Sequence, residues 1–161
     1  MPSIPMTRAG YEKLKKELEH IKTALVPQNI KEIEEARAHG DISENAEFAA
    51  AKERQSFIQG KIQEIENNLA NAVVVDLSRV SNERVVFGAT VLFEEEGCDG
   101  MFTYQLVGPL ESDISENKIS VTSPLGKALI GKRVGDVVSV KTPRGTRTVE
   151  ITEIRIMSNG A

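Results

Sequence analysis

From Phe48 to Ala72 the apolar residues fall alternately three and four apart: Phe48, Ala51, Ile58, Ile62, Ile65, Leu69 and Ala72, with Gln55 as a polar intruder in the series. That spacing puts every one of these side chains on a single narrow stripe of an α-helix, and no strand with its two-residue period can reproduce it. So narrow a seam has to be covered by another helix. The chain supplies one upstream, where Leu14, Leu18, Ile21 and Leu25 are spaced four, three and four apart. Between the two stripes lies Arg37-Ala38-His39-Gly40-Asp41-Ile42-Ser43-Glu44-Asn45-Ala46-Glu47-Phe48, a glycine-containing break crowded with carboxylates. The pattern predicts an antiparallel hairpin whose arms, at about 30 residues each and 1.5 Å per residue, are on the order of 45 Å long.

Thr7 is the expected N-cap of the first arm, with Pro5 upstream and Glu12 near the positive end of the helix dipole. Pro27 must disturb that arm, because it removes a backbone donor and collides with the turn before it. Ile30 and Ile33 are expected to resume the stripe, and Gln55 reads as a device that sets register. One step back from Phe48 along the seam lies Glu44, which places it on the partner-facing side at the far end of the rod. The mixed charges Lys15, Lys16, Glu17, Glu19 and Lys22 read as a solvated face.

Composition changes sharply near residue 75. Helix formers give way to Val, Thr, Gly and Pro in short alternating runs, which predict strands at about 73–76, 85–93, 101–107, 118–122, 135–141 and 146–156. Pro143-Arg144-Gly145 predicts a tight hairpin between the last two. Ser123 to Gly131 predicts one short helix, with Ser123 as N-cap, Pro124 in its first turn and Gly131 as its stop. The fold class is therefore α+β: a helical hairpin over residues 1–76, then a small, mostly antiparallel sheet with one short helix over residues 77–161.

At 161 residues, 40% hydrophobic and 27% charged, the chain can bury a modest core and is not disordered by composition. It contains no apolar run of the roughly 18 residues that a membrane span needs, and its first residues lack the pattern of a secretion signal. Its lone cysteine, Cys98, can form neither an internal disulfide nor a thiolate metal site. A cytoplasmic protein with no membrane partner is expected. A net charge of −4 argues against a broad basic surface that coats duplex nucleic acid, and 4% aromatic residues without tryptophan argue against base-stacking platforms.

The break between the arms has two readings. Asp41 followed three residues later by Glu44 resembles a capping box, worth roughly 1 kcal/mol to the helix start. Two carboxylates on a short turn can equally supply hard oxygen ligands to Mg²⁺, too few to hold the ion alone but enough if a second macromolecule contributes the rest. The long stalk favours the second reading, since capping needs no rod, and the two are compatible. Arg37 and Lys52 flank the break, either as ordinary surface residues or as a basic pair that guides a nucleic-acid end.

The motif Arg37-x-x-Gly40-Asp41-x-x-Glu44-Asn45-Ala46-Glu47-Phe48 resembles the hairpin tip of the bacterial Gre-type transcription elongation (transcript cleavage) factors, of the GreA-like kind. So do Pro5-Met6-Thr7-x-x-Gly10, Val86-Phe87-Gly88-Ala89-Thr90-Val91, and Ile119-Ser120-Val121-x-Ser123-Pro124-Leu125-Gly126-Lys127-Ala128-Leu129-Ile130-Gly131-Lys132, in family order along essentially the whole chain. The resemblance implies an N-terminal coiled-coil hairpin that enters the secondary channel of bacterial RNA polymerase, and a C-terminal FKBP-like domain that grips the channel rim. It implies that Asp41 and Glu44 act as catalytic and metal-binding groups, sharing Mg²⁺ with the polymerase, whose own active centre cleaves the 3′ end of backtracked nascent RNA. The factor is then an activator without a complete active site of its own, and a monomer. Arg37 and Lys52 match the family's RNA-binding basic spot, and Ser120, Ser123, Pro124 and Lys127 fall in the loop and helix associated with polymerase docking. Phe48 departs from the family, which commonly has tyrosine there.

Three other functions fit parts of the pattern. A channel-occupying inhibitor that does not promote cleavage is expected to carry a rearranged or more acidic tip than Asp-x-x-Glu. A prolyl isomerase is suggested by the implied C-terminal fold, yet Phe87, Phe93, Phe102 and Tyr104 come without a tryptophan, and fold does not carry function. A plain coiled-coil adaptor predicts that Asp41→Asn changes little, because Asn caps as well as Asp.

Overall fold

The computed structural model describes residues 3–40, 45–78 and 80–156. Asp41 and Glu44 lie outside the described residues. In chain order the elements are β1 (Ile4–Met6), α1 (Arg8–His20), a π-helical stretch (Ile21–Leu25), α2 (Val26–Ala38), α3 (Ala46–Ala70), β2 (Ala72–Val74), β3 (Thr90–Glu95), β4 (Met101–Val107), β5 (Lys118–Ser120), α4 (Pro124–Leu129), β6 (Val137–Thr142) and β7 (Gly145–Arg155). A long helical hairpin precedes a mixed sheet, as the change in composition predicts.

The first arm runs without interruption through stretches of 13, 5 and 13 residues. Pro27 sits in the first turn of α2, where a missing N–H is tolerated. The turn before it absorbs the steric conflict by widening: Val26 donates its N–H to the Ile21 carbonyl, five residues back. That π-helical turn inserts one residue into the seam. The stripe steps from Ile21 to Val26 rather than to Leu25, and from there to Asn29, Ile33 and Ala36, all three of them buried. The expected seam residues Leu25 and Ile30 are 37% and 48% exposed. Leu14, Leu18, Ile21 and Val26 pack against Ile58, Ile62, Ile65 and Leu69 of α3.

The chain forms two compact units, and their boundary differs from the one at residue 76. One unit is Glu12–Asn71, and the other joins the described residues before Glu12 to those from Ala72 onward. The reason is a pairing that three-residue strands are too short to announce. β1 lies parallel to β2, with Ile4 opposite Ala72 and Met6 opposite Val74, and Met6 is 1% exposed. Thr7 caps α1 as expected, its Oγ1 accepting from the Gly10 N–H at 3.0 Å. The same hydroxyl donates to Glu111 Oε1, while Glu111 Oε2 accepts from the backbone N–H groups of Thr7 and Gly108, both at 3.0 Å.

The larger sheet has the order β5-β4-β3-β7-β6 and is antiparallel except between β4 and β5. Its core gathers Val91, Phe93, Leu106, Val149 and Ile151 with Leu125 and Leu129 of α4. Phe93 stacks between Phe102 and Tyr104, at 5.6 and 5.8 Å between ring centroids. Residues 85–89 are not strand, contrary to the alternation. Val85 instead bonds Lys132 and Gly131 through its backbone, and Gly88 donates to Leu106. A two-residue loop, Pro143-Arg144, joins β6 to β7 as predicted.

Candidate functional site at the hairpin tip

The tip end of the hairpin is built from the last turn of α2, the break, and the first turns of α3. Ala is the best helix former, and α3 opens with it repeatedly at 46, 49, 50 and 51, so its backbone is helical from the first residue. Its first free N–H groups need acceptors, and Asn45 provides one: its backbone is extended (φ −87°, ψ 103°) and its Oδ1 accepts from the Phe48 N–H at 3.1 Å. The N-cap of α3 is therefore Asn45, and the capping box expected at Asp41 and Glu44 falls outside the described residues.

Asn45 has a second bond. Its Nδ2 donates to the Ala36 carbonyl of α2 at 2.6 Å, so the residue that starts one arm is tied to the end of the other. Gly40, just before the break, has φ +124°, a conformation that side-chain-bearing residues avoid. Deeper in, Asn29 is 3% exposed, and its Nδ2 donates to the Ala51 carbonyl of α3 at 3.0 Å. The buried polar bond across this seam is thus made by Asn29, not by Gln55, whose Oε1 accepts from Lys52 Nζ at 2.8 Å. Periodicity points elsewhere because Ile30, four residues from Val26 and three from Ile33, fits the spacing as well as Asn29, three and four away, and is the apolar one of the two.

The candidate basic residues both belong to this end. The Arg37 guanidinium lies over the Phe48 ring, 5.8 Å from its centroid, and Phe48 is half-buried. An aromatic ring suffices for that contact, so it does not depend on the hydroxyl that Phe48 lacks. Lys52 is exposed one turn beyond Phe48. Arg54 Nη1 bridges the arms to both Glu32 oxygens, at 3.1 and 3.2 Å. These two line a shallow groove of about 360 Å³ together with Glu35, His39 and Glu47. Among the described residues no group of three or more His, Cys, Asp or Glu side chains is arranged to hold a metal ion. The carboxylates expected to meet Mg²⁺, those of Asp41 and Glu44, lie outside the described residues.

The four candidate docking residues converge around α4. Ser123 caps that helix, accepting from the Gly126 N–H at 3.1 Å and donating to the Ser120 carbonyl at 2.6 Å. Ser120 Oγ is engaged by Thr122, accepting its N–H at 3.0 Å. Both serines are thus committed to local structure, while Pro124 and Lys127 are exposed and one turn apart. A Cβ on Gly126 would collide with the Ser120 carbonyl, so glycine is required for α4 to sit this close to β5. Elsewhere, Cys98 is exposed and its thiol donates to Glu95 Oε2 at 3.6 Å. Desolvation and the Glu95 carboxylate push that thiol up, away from reactivity.

The family model for the N-terminal region of transcription elongation factors matches residues 4–74, and that for the GreA/GreB C-terminal region matches residues 80–156. The chain belongs to the GreA/GreB family of transcription elongation factors. It is 62% identical over 156 residues to transcription elongation factor GreA of Syntrophus aciditrophicus, covering 97% of both chains. It is 52% identical to the GreA of Methylococcus capsulatus, covering 96% of this chain and 99% of that protein. Among solved structures, the GreA factor homolog 1 protein of Thermus thermophilus is 32% identical, with 95% of this chain and 99% of that one covered and a TM-score of 0.43. The first matched region holds the helical arms with β1 and β2, and the second holds β3 to β7 with α4. No helix of the described residues is long and apolar enough to cross a membrane.

Proposed function

We propose that this GreA/GreB-family chain inserts its hairpin tip into the secondary channel of RNA polymerase. There it stimulates the polymerase's own Mg²⁺-dependent cleavage of backtracked RNA 3′ ends and so rescues arrested complexes. The observation that carries the reading is the cap of α3: Asn45 makes it, so the start of that helix does not call for a cap from Asp41. Family membership along both units supports it.

In this reading Asp41 and Glu44 offer carboxylate oxygens to an ion shared with the polymerase and hold an attacking water. A bound Mg²⁺ supplies Lewis-acid stabilisation of the phosphoryl charge. Arg37, steadied on Phe48, and Lys52 meet the phosphates of the displaced RNA. Pro124 and Lys127 contact the channel rim, and the Ser120–Ser123 bond holds the helix that carries them. The factor works as a monomer in the cytoplasm and is an activator rather than an enzyme.

The test is transcript cleavage in a backtracked polymerase complex with Mg²⁺, comparing the protein with its Asp41→Asn/Glu44→Gln variant. RNA shortening by the first and not the second, with equal binding to polymerase, is the expected result. No shortening by either, with synthesis suppressed, would make the chain a channel-occupying inhibitor instead.

A further inference from the structure

The hairpin is held by different means at its two ends. Toward the base, Leu14, Leu18, Ile21 and Val26 face Ile58, Ile62, Ile65 and Leu69. Toward the tip the seam thins to Ile33, Ala36 and Ala51 as its buried apolar residues, with Asn29 among them. Alanine stripes fix register poorly, because one small side chain packs against a helix much as its neighbour does. Two asparagines supply what the alanines lack. Asn29 of α2 donates to the Ala51 carbonyl of α3, and Asn45 at the start of α3 donates to the Ala36 carbonyl of α2. The bonds run in opposite directions between the arms and bracket the last stretch before the break. Each is directional and short, so together they allow one axial setting and one separation. A buried amide that sets register at some expense of stability is a known device of coiled coils.

We propose that Asn29 and Asn45 form a crossed pair of staples that sets the axial register of the arms, and that both are positioning residues for the tip. The functional half of this inference rests on the cleavage reading above; the register half does not. A misplacement of about 1 Å far from the chemistry can cost on the order of 100-fold in rate, so a tip on arms free to slide would dock normally and work badly.

Two variants separate positioning from folding. Asn29→Leu removes one staple while adding apolar volume to the seam. Asn45→Ser keeps a neutral cap for α3 but is too short to reach the Ala36 carbonyl. In a Cys98→Ser background, spin labels at Glu34 and Glu53 report the distance between the arms. The expected result is a narrow distribution in the parent that broadens or shifts in each variant. Maximal cleavage should fall about 10- to 100-fold, with the half-saturating factor concentration unchanged and the melting temperature of Asn29→Leu no lower than the parent's. Unchanged label distances would overturn the register claim even if the parent fails to stimulate cleavage, an outcome that would defeat the cleavage reading separately. Altered distances with full cleavage, or a loss that merely follows melting temperature, would overturn the positioning role.

Discussion

The base and the tip of the hairpin solve the same problem, holding two helices together, with different chemistry. The base uses bulk: branched and long apolar side chains whose burial is strong but nearly indifferent to small shifts. The tip uses amide-to-carbonyl bonds, each worth only about 1 kcal/mol net, which are lost if a donor moves by an ångström or so. In the proposed function this slender end reaches into another molecule, which leaves little room for leucines. The difference teaches that stability and placement are assigned to separate stretches of one helix pair, so a mutation in either should leave the other property largely intact.

The largest expected effect is at the base. Ile65 is 1% exposed, and Ile65→Ala should lower hairpin stability by about 2–5 kcal/mol through lost burial and a residual cavity. Thermal unfolding followed by far-UV circular dichroism checks this. Next is the cap: Asn45→Ala should cost about 0.5–2 kcal/mol, and Asn45→Ser only a small part of that. Equal losses from the two would mean that the bond to Ala36, not the cap, carries the stability at Asn45.

The sequence makes the base legible and the tip not. The stripe of α3, the buried Ile58 and Ile65 and the Thr7 cap follow directly from spacing and residue type. One failure begins at Pro27. Its conflict with the preceding turn is predictable, but its relief by one extra residue in that turn is not, and it moves the seam from Leu25 to Val26. From Val26 the seam reaches the expected Ile33 through Asn29 rather than Ile30, so Ile30 is half exposed where burial is expected and Asn29 is buried where no pattern points to it. Asn45 and Asp41 both satisfy the capping rule within the tip motif, and only the start of α3 at Ala46 identifies Asn45 as the cap of that helix. The β1–β2 pairing and the Glu111 clamp join residues far apart in sequence, with strands too short to carry a periodic signal.

Charge-based contacts give smaller and more conditional effects. In the sheet unit, Arg147 donates Nε and Nη2 to Glu95 Oε1, at 2.8 and 2.5 Å. That bond holds the Glu95 carboxyl below its usual value. A lowered value means that stability from Glu95 is fully present above the unfolded-state pKa, about 4.3, and is lost as pH falls below it. Glu95→Gln should remove that part of the acid sensitivity, read as a flatter plot of melting temperature against pH below about 4.3. The asparagine staples do not titrate and should contribute nothing to it. The smallest effect is expected of Arg54, whose pair with Glu32 is largely solvent-exposed. Arg54→Ala should change stability by about 0.2–1 kcal/mol, less at high salt.

The division of labour is tested most directly by measuring maximal transcript cleavage per folded molecule for Ile65→Ala and Asn29→Leu side by side, at a temperature where both remain folded. The account predicts a near-parental rate for Ile65→Ala despite its lower stability, and a rate reduced about 10- to 100-fold for Asn29→Leu despite undiminished stability. Cleavage that simply tracks stability across the two variants would contradict it.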